Sequence, residues 1–186
     1  MKKIVLFGDS IFNGFRNHQN TDLVTNLFKH SLGNNIEIQN ISKSGATTVE
    51  GLDYLKQIPN DIDLTIIEYG TNDAATAWGI RLENYAKNLQ KMVSYLNAKC
   101  IIVGPMPPDP NNSEISQFYP NLQQFNKKAQ QIAQANHLPF IDMTQAFANL
   151  PNISSYYQND GQHLTDKGNE LLVKTITPAI LINLKD

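Results

Sequence analysis

Short runs of apolar residues alternate along the chain with longer segments that have the period of a helix. Two runs, residues 4–7 and 64–67, are continuous rather than alternating, which is typical of strands covered on both faces. Five runs predict strands: residues 4–7, 36–41, 64–69, 100–103 and 139–141. Strands that alternate with helices in this way predict a parallel sheet with helices on both sides.

The intervening segments carry clear helix signals. Apolar residues recur every three or four positions from Leu82 to Leu96 and from Leu122 to Ala133, and each set forms one helical stripe. The last helix is predicted to begin near Thr165, a residue that caps helices well. Pro178 is predicted to kink or end that helix, because proline lacks the backbone N–H.

One domain spanning residues 1–186 is expected, because the chain shows no internal repeat, low-complexity stretch or linker. Two connections are long for such a fold, residues 104–118 with four prolines and residues 149–159. Long loops in compact domains are often functional, and a mobile 105–118 loop could cover a bound substrate.

Composition excludes several classes of protein. The 15 basic and 17 acidic side chains give a formal charge of −2, which offers no general attraction to nucleic acid. The single cysteine, Cys100, excludes an internal disulfide and a cysteine-framed zinc site. No apolar stretch approaches the roughly 18 residues of a membrane span, so no membrane insertion is expected.

Localisation and assembly follow from the same features. The four apolar residues after Met1-Lys2-Lys3 are too few for the core of a signal peptide, so a cytoplasmic protein is expected. A monomer and a small homo-oligomer both fit the sequence.

Small and polar residues follow four of the apolar segments. They are Gly8-Asp9-Ser10, Ser42-Lys43-Ser44-Gly45, Gly70-Thr71-Asn72-Asp73 and, before the last helix, Asp160-Gly161-Gln162-His163. Each has a structural explanation when taken alone: a tight turn, a positive φ angle, a helix cap, and a loop salt bridge or a pair of metal ligands. Because ligands of open parallel sheets bind beyond the carboxyl ends of the strands, the four together predict a functional site.

This set contains the groups that acyl transfer from an ester requires. A serine hydroxyl such as that of Ser10 needs a base, here His163, and a group such as Asp160 that holds the base in one tautomer. The oxyanion that forms needs fixed donors, which the backbone N–H groups of Ser10 and Gly45 and the side-chain amide of Asn72 can supply. The combination therefore predicts nucleophilic catalysis.

The same residues resemble the SGNH hydrolases, also called the GDSL esterase/lipase family. The family's blocks occur in order as Gly8-Asp9-Ser10-Ile11-Phe12-Asn13-Gly14, Gly45, Gly70-Thr71-Asn72-Asp73 and Asp160-Gly161-Gln162-His163. The resemblance implies a flavodoxin-like three-layer α/β/α domain with a five-stranded parallel sheet in the order 2-1-3-4-5. It also implies that Ser10 is the nucleophile, that His163 is the base oriented by Asp160, and that no metal or other cofactor takes part.

The leading hypothesis is a cofactor-independent serine esterase that cleaves short-chain carboxylic esters, such as acetyl esters of sugars or small alcohols. An acyltransferase using the same serine is the alternative, since both reactions pass through one intermediate. A metal-dependent hydrolase with Asp9, Asp73, Asp160 and His163 as ligands is a remote alternative. A non-catalytic flavodoxin-like module would have no need of base, orienting group and oxyanion donors together.

Candidate substrate-binding residues lie in the long loops or beside the motifs. They are Phe12, Trp78, Met106, Phe118, Tyr156 and Tyr157. A chain of this length leaves no room for an additional lid domain, so an open, shallow site and short acyl groups are expected.

Overall fold

A parallel sheet of five strands forms the centre of the molecule. The computed structural model describes residues 1–97 and 99–185. The strands are β1 (Lys2–Gly8), β2 (Ile36–Asn40), β3 (Leu64–Glu68), β4 (Cys100–Val103) and β5 (Phe140–Ile141). Their order in the sheet is β2-β1-β3-β4-β5, and every neighbouring pair is parallel. The five apolar runs and the strand order are therefore confirmed.

Helices connect the strands. They are α1 (Leu23–Leu32), α2 (Thr48–Tyr54), α3 (Thr71–Ala74), α4 (Leu82–Tyr95), α5 (Ser113–Ser116), α6 (Leu122–Ala135), α7 (Met143–Ala146) and α8 (Asp166–Asn183). The two predicted apolar stripes coincide with α4 and α6, and the stripe residues Leu89 and Ala129 are buried. Thr165 caps α8 as predicted, because its side chain accepts a hydrogen bond from the backbone N–H of Gly168.

Alternate side chains of β1 enter two separate cores, which explains why its apolar run is continuous. Ile4 and Leu6 pack with residues of α1 and α8 on one face of the sheet. Val5 and Phe7 pack with residues of α4 and α6 on the other face. Burial on both faces makes every position of the strand apolar, and the result is the expected three-layer α/β/α arrangement.

Of the two outcomes predicted for Pro178, a kink and an end of the helix, the structure contradicts the second, because α8 does not end there. The helix continues to Asn183 because packing past the proline holds it, with both Ile176 and Ile180 fully buried. The hydroxyl of Thr177 donates to the carbonyl oxygen of Val173 at 2.7 Å beside the break in the helical hydrogen bonds. Tertiary packing thus outweighs the cost of a proline in the helix interior.

The order in which the strands are added to the sheet reverses between β1 and β3, since β2 pairs on one side of β1 and β3 pairs on the other. Gly8, at the end of β1, pairs with Glu68, at the end of β3. A Cβ atom on Gly8 would lie 2.5 Å from the carbonyl oxygen of Glu68, so only glycine allows this approach. Such a switch point is where open α/β sheets bind ligands.

The first part of the 104–118 connection is fixed to the segments at this edge. The backbone N–H of Met106 donates to the Thr71 hydroxyl at 2.8 Å, and that of Asp109 donates to the carbonyl oxygen of Gly161 at 2.7 Å. These bonds tie the segment after β4 both to α3 and to the loop before α8.

Across the described residues, no helix is both long enough and apolar enough to cross a membrane.

Candidate active site

Ser10 lies in the tight turn that follows β1. The turn is anchored by Ile11 and Phe12, whose side chains are buried in the core that contains α1 and α8. The Asp9 carboxylate accepts the Ile11 N–H at 2.9 Å, and the Ser10 carbonyl oxygen accepts the Phe15 N–H at 3.1 Å. The position of the hydroxyl is therefore set by the core packing of its neighbours.

Ser10, His163 and Asp160 form a continuous hydrogen-bonded chain. His163 Nε2 lies 3.0 Å from Ser10 Oγ, and His163 Nδ1 lies 2.7 Å from Asp160 Oδ2. Ser10 and His163 are 153 positions apart in the sequence, so it is the fold that brings them into contact. The sequence-predicted set of serine, imidazole and carboxylate is assembled in one place.

The Asp160 carboxylate also holds the backbone of its own loop. Its Oδ1 accepts the N–H groups of Gln162 and His163, both at 2.9 Å. Burial alone would raise the pKa of Asp160, but hydrogen bonds from the His163 ring and these two N–H groups outweigh it and lower the pKa to about 2. Asp160 is therefore ionised throughout the neutral range.

The ring of Phe15 packs on the imidazole of His163, with ring centroids 4.6 Å apart. Gln158 fixes the Phe15 backbone, because its Nε2 donates to the Phe15 carbonyl oxygen at 2.7 Å. No sequence pattern singled out Phe15. Its only signal in the sequence was its position directly after the Gly8–Gly14 motif.

Gly45 lies in the loop that follows β2 and has a φ angle of +78°, in the region that favours glycine. The loop is fixed beside β1, because the Lys43 N–H donates to the Gly8 carbonyl oxygen at 3.0 Å. Asn13 strengthens this attachment by donating to the carbonyl oxygen of Ser42 at 3.2 Å. Among the residues that the structure describes, no acceptor is found for the N–H of Gly45 or of Ser10.

Asn72, on α3, connects the segments that follow β1 and β2. Its Nδ2 donates to Asp9 Oδ2 at 2.9 Å and to the carbonyl oxygen of Ala46 at 3.1 Å. A peptide carbonyl can only accept, so the amide nitrogen of Asn72 and not its oxygen faces these partners. Asn72 is thus held between the serine turn and the loop that carries Gly45.

A further acidic residue of this region, Asp73, has a structural task. Asp73 is buried and accepts from the N–H of Thr48 at 2.9 Å, so it holds the start of α2. Burial raises the pKa of Asp73 to about 6 despite its hydrogen bonds with Thr48.

Within residues 1–97 and 99–185, no three His, Cys, Asp or Glu side chains form a group that could hold a metal ion. The proposed ligands of the remote metal alternative are therefore not gathered.

The six candidate substrate-binding residues fall into two groups. Phe12, Met106 and Tyr157 lie in the hydrophobic core, and Phe12 is 0% exposed. Their apolar character is explained by core packing, so we correct the expectation that they line the substrate site.

The other three candidates are accessible to different degrees. Trp78 is 45% exposed and packs against Phe118, with ring centroids 5.3 Å apart. Tyr156 is half-buried and packs against Phe147, and the ammonium group of Lys167 lies 3.9 Å from its ring centroid. Trp78 is therefore the most exposed of the six candidates, and Phe118 and Tyr156 are both half-buried.

Comparisons with known proteins agree with this geometry. The GDSL-like Lipase/Acylhydrolase family model matches residues 6–171. A lipase/acylhydrolase from Enterococcus faecalis has 29% identity and a TM-score of 0.89, and the match covers 100% of this chain and 97% of that one. A comparison with curated proteins gave no match.

More distant solved structures share the fold. A GDSL-like lipase from Bacteroides thetaiotaomicron has 23% identity and a TM-score of 0.76, with 97% of this chain and 88% of that chain covered. The acetyl xylan esterase AlAXEase has 18% identity and a TM-score of 0.72, with 96% and 99% covered. The chain therefore belongs to the GDSL-like lipase/acylhydrolase family and is an ester-hydrolysing enzyme.

Proposed function

We propose that the protein is a serine esterase that hydrolyses short-chain carboxylic esters through an acyl-serine intermediate. The observation that carries the proposal is the chain of hydrogen bonds from Ser10 Oγ to His163 Nε2, 3.0 Å, and from His163 Nδ1 to Asp160 Oδ2, 2.7 Å. In this geometry His163 can remove the proton of the Ser10 hydroxyl, while Asp160 stabilises the imidazolium that results.

The ionised Asp160 determines the tautomer of the base. A carboxylate only accepts, so His163 Nδ1 carries the proton and His163 Nε2 is free to accept one. Ser10 Oγ attacks the ester carbonyl carbon while its proton passes to Nε2. The tetrahedral intermediate then collapses, the Oγ–acyl bond remains, and the leaving alkoxide takes the proton from Nε2. Water repeats the sequence on the acyl-serine and releases the acid and the free Ser10 hydroxyl.

The oxyanion of each tetrahedral intermediate is stabilised by the N–H groups of Ser10 and Gly45 and by Asn72 Nδ2. The two backbone groups have no acceptor among the described residues, so they are available to the substrate. Asn72 donates to Ala46 in the free enzyme, and that proton is shared with the oxyanion during the reaction. Each donor of this kind typically contributes about 10² to 10³ in rate.

Short acyl groups are the expected substrates. Phe12, Met106 and Tyr157, the large apolar side chains near the motifs, are buried in the core and so do not provide an apolar lining for a longer acyl chain. On p-nitrophenyl esters, which share one leaving group, kcat/KM is expected to fall at least about tenfold from acetate to octanoate. Acetylated sugars are the first natural class to assay, because the structural neighbour AlAXEase is an acetyl xylan esterase. A rise in kcat/KM with chain length would contradict this substrate class.

The covalent intermediate has its own test. Rapid mixing with p-nitrophenyl acetate, followed by acid quenching and peptide mass analysis, should locate an acetyl group on Ser10. Acetylation of another residue in its place would contradict the proposed nucleophile.

Phe15 is expected to support the base by packing on its imidazole. Phe15→Leu should lower kcat about 2- to 10-fold with little change in KM, because the aromatic face that holds the imidazole ring in place is lost. Steady-state kinetics on p-nitrophenyl acetate measure the effect. Phe15→Tyr, which keeps an aromatic face at the same place, should retain most of the activity; equal losses in both variants would mean that the ring face is not what matters.

A further inference from the structure

Two buried carboxyl groups lie together behind the serine turn, and the mechanism above does not use them. Asp9 is 1% exposed and Glu68, the last residue of β3, is 0% exposed. The Asp9 N–H lies 3.4 Å from Glu68 Oε2, and a Cβ on Gly8 would be 2.8 Å from the same oxygen. The close approach of β1 and β3 thus forces the two acids into one site.

The surroundings of the two carboxyl groups are unequal. Both oxygens of Asp9 accept N–H groups: Oδ1 accepts from Ile11 and Oδ2 from the side-chain amide of Asn72, each at 2.9 Å. In the part of the chain that the structure describes, Glu68 Oε1 is buried without a partner. Two donated hydrogen bonds stabilise a negative charge on Asp9, and no comparable set stabilises one on Glu68.

Electrostatics agree with this assignment. Burial raises the pKa of both acids, and the neighbouring charge of Asp9 raises the pKa of Glu68 further. Two adjacent carboxyl groups away from water hold at most one negative charge, because two charges would repel each other with little screening. Glu68 keeps its proton more strongly than Asp9, so the one negative charge that the pair takes up lies on Asp9.

We propose that Asp9 is a positioning residue of the reaction, which in its anionic form, with a neutral Glu68 behind it, holds the amide nitrogen of Asn72 in place for the oxyanion. This inference rests on the proposed function, since it requires that Asn72 stabilises the oxyanion. The other proton of Asn72 Nδ2 is donated to Ala46 in the free enzyme and is the one shared with the oxyanion during the reaction. The bond to Asp9 then keeps the amide from rotating and presenting its oxygen, which would repel the oxyanion.

The test is a double-mutant cycle on Asp9→Asn and Asn72→Ala, measured as kcat and KM on p-nitrophenyl acetate. An asparagine at position 9 has one acceptor for two donors, so it must place an NH₂ group against either Ile11 or Asn72. Asp9→Asn should lower kcat about 10- to 100-fold, no more than the roughly 10² to 10³ of Asn72→Ala, and leave KM nearly unchanged. In the Asn72→Ala background the same change should cost less than about threefold.

The outcomes separate the two proposals. An Asn72→Ala variant with wild-type kcat would contradict the oxyanion role of Asn72 itself. A normal loss in Asn72→Ala, with an equal effect of Asp9→Asn in both backgrounds, would overturn only the positioning role, because Asp9 would then act independently of Asn72. Wild-type kcat in Asp9→Asn would overturn it as well. If Asp9→Asn does not fold, Asp9→Ser removes the charge without added bulk and enters the same cycle.

Glu68→Gln is the matched variant, because glutamine replaces a neutral carboxyl by a neutral amide of the same shape. It should change kcat less than about threefold, and the wild-type protein should show at neutral pH an infrared C=O band of a protonated carboxyl that disappears in Glu68→Gln. A loss in Glu68→Gln as large as that in Asp9→Asn, the absence of this band in the wild type, or a band that persists in Glu68→Gln would show that Glu68 does not hold the proton and would overturn the proposal.

Discussion

Ser10→Ala is expected to lower kcat by about 10⁶-fold, since the nucleophile and its base act as one unit and the loss of either removes the covalent route. Ser10 Oγ is the atom within 3.0 Å of His163 Nε2, and alanine leaves the imidazole without a proton to accept. Ser10 is also only 4% exposed, so the substitution removes a single oxygen from a packed turn and should leave the fold intact. The assay is p-nitrophenyl acetate hydrolysis by purified protein, with circular dichroism as the check on folding.

Covalent labelling tests the identity of the nucleophile without measuring turnover. A fluorophosphonate should add covalently to Ser10 in the wild-type protein and fail to react with Ser10→Ala, as read by intact mass. Ser154→Ala is the matched control, because Ser154 is an exposed serine whose hydroxyl accepts a hydrogen bond from Asn111. Wild-type hydrolysis by Ser10→Ala, or loss of labelling in Ser154→Ala alone, would show that the nucleophile lies elsewhere.

Much of the fold could be predicted because burial on both faces leaves a strong trace in the sequence. A strand such as β1 must be apolar at every position when Val5 and Leu6 face different cores. The location of the site followed from the same pattern, since the exits of β1 and β3 meet at one edge of a parallel sheet. Ser10 and Asn72 could therefore be placed near each other before any coordinates were known.

Other features depend on tertiary contacts that no local pattern records. An aromatic residue next to a motif can serve the core or the ligand, and Phe12 serves the core because it packs against Phe28 at a centroid distance of 6.2 Å. The continuation of α8 past Pro178 depends on the burial of Ile180 against other elements. The pairing of Asp9 with Glu68 likewise arises only where two strands approach through a glycine.

Asp160→Asn is expected to lower kcat by about 10⁴-fold, through the tautomer of His163 rather than through its position. Asp160 Oδ1 accepts two backbone N–H groups, those of Gln162 and His163. In the variant the single oxygen of asparagine remains at these two donors, so its NH₂ group faces His163 Nδ1. That nitrogen must then accept, the ring proton moves to Nε2, and Nε2 can no longer take the proton of Ser10.

The comparison with Asp160→Ala decides between two roles of this carboxylate. Alanine removes the loop hydrogen bonds as well, but it leaves His163 Nδ1 free to donate to water and so permits the productive tautomer. We therefore expect Asp160→Asn to lose at least as much kcat as Asp160→Ala. We also expect the ¹⁵N shifts of the His163 ring to show the Nε2–H form in the asparagine variant only.

The folded-state pKa of Asp160, about 2, lies below its ordinary value near 4, so the contribution of its charge to stability is present above pH 4 and is lost as the pH falls toward 2. Assays between pH 6 and 9 therefore compare the variants with a constantly charged wild type, and a greater loss in Asp160→Ala would show that Asp160 acts mainly by holding its loop.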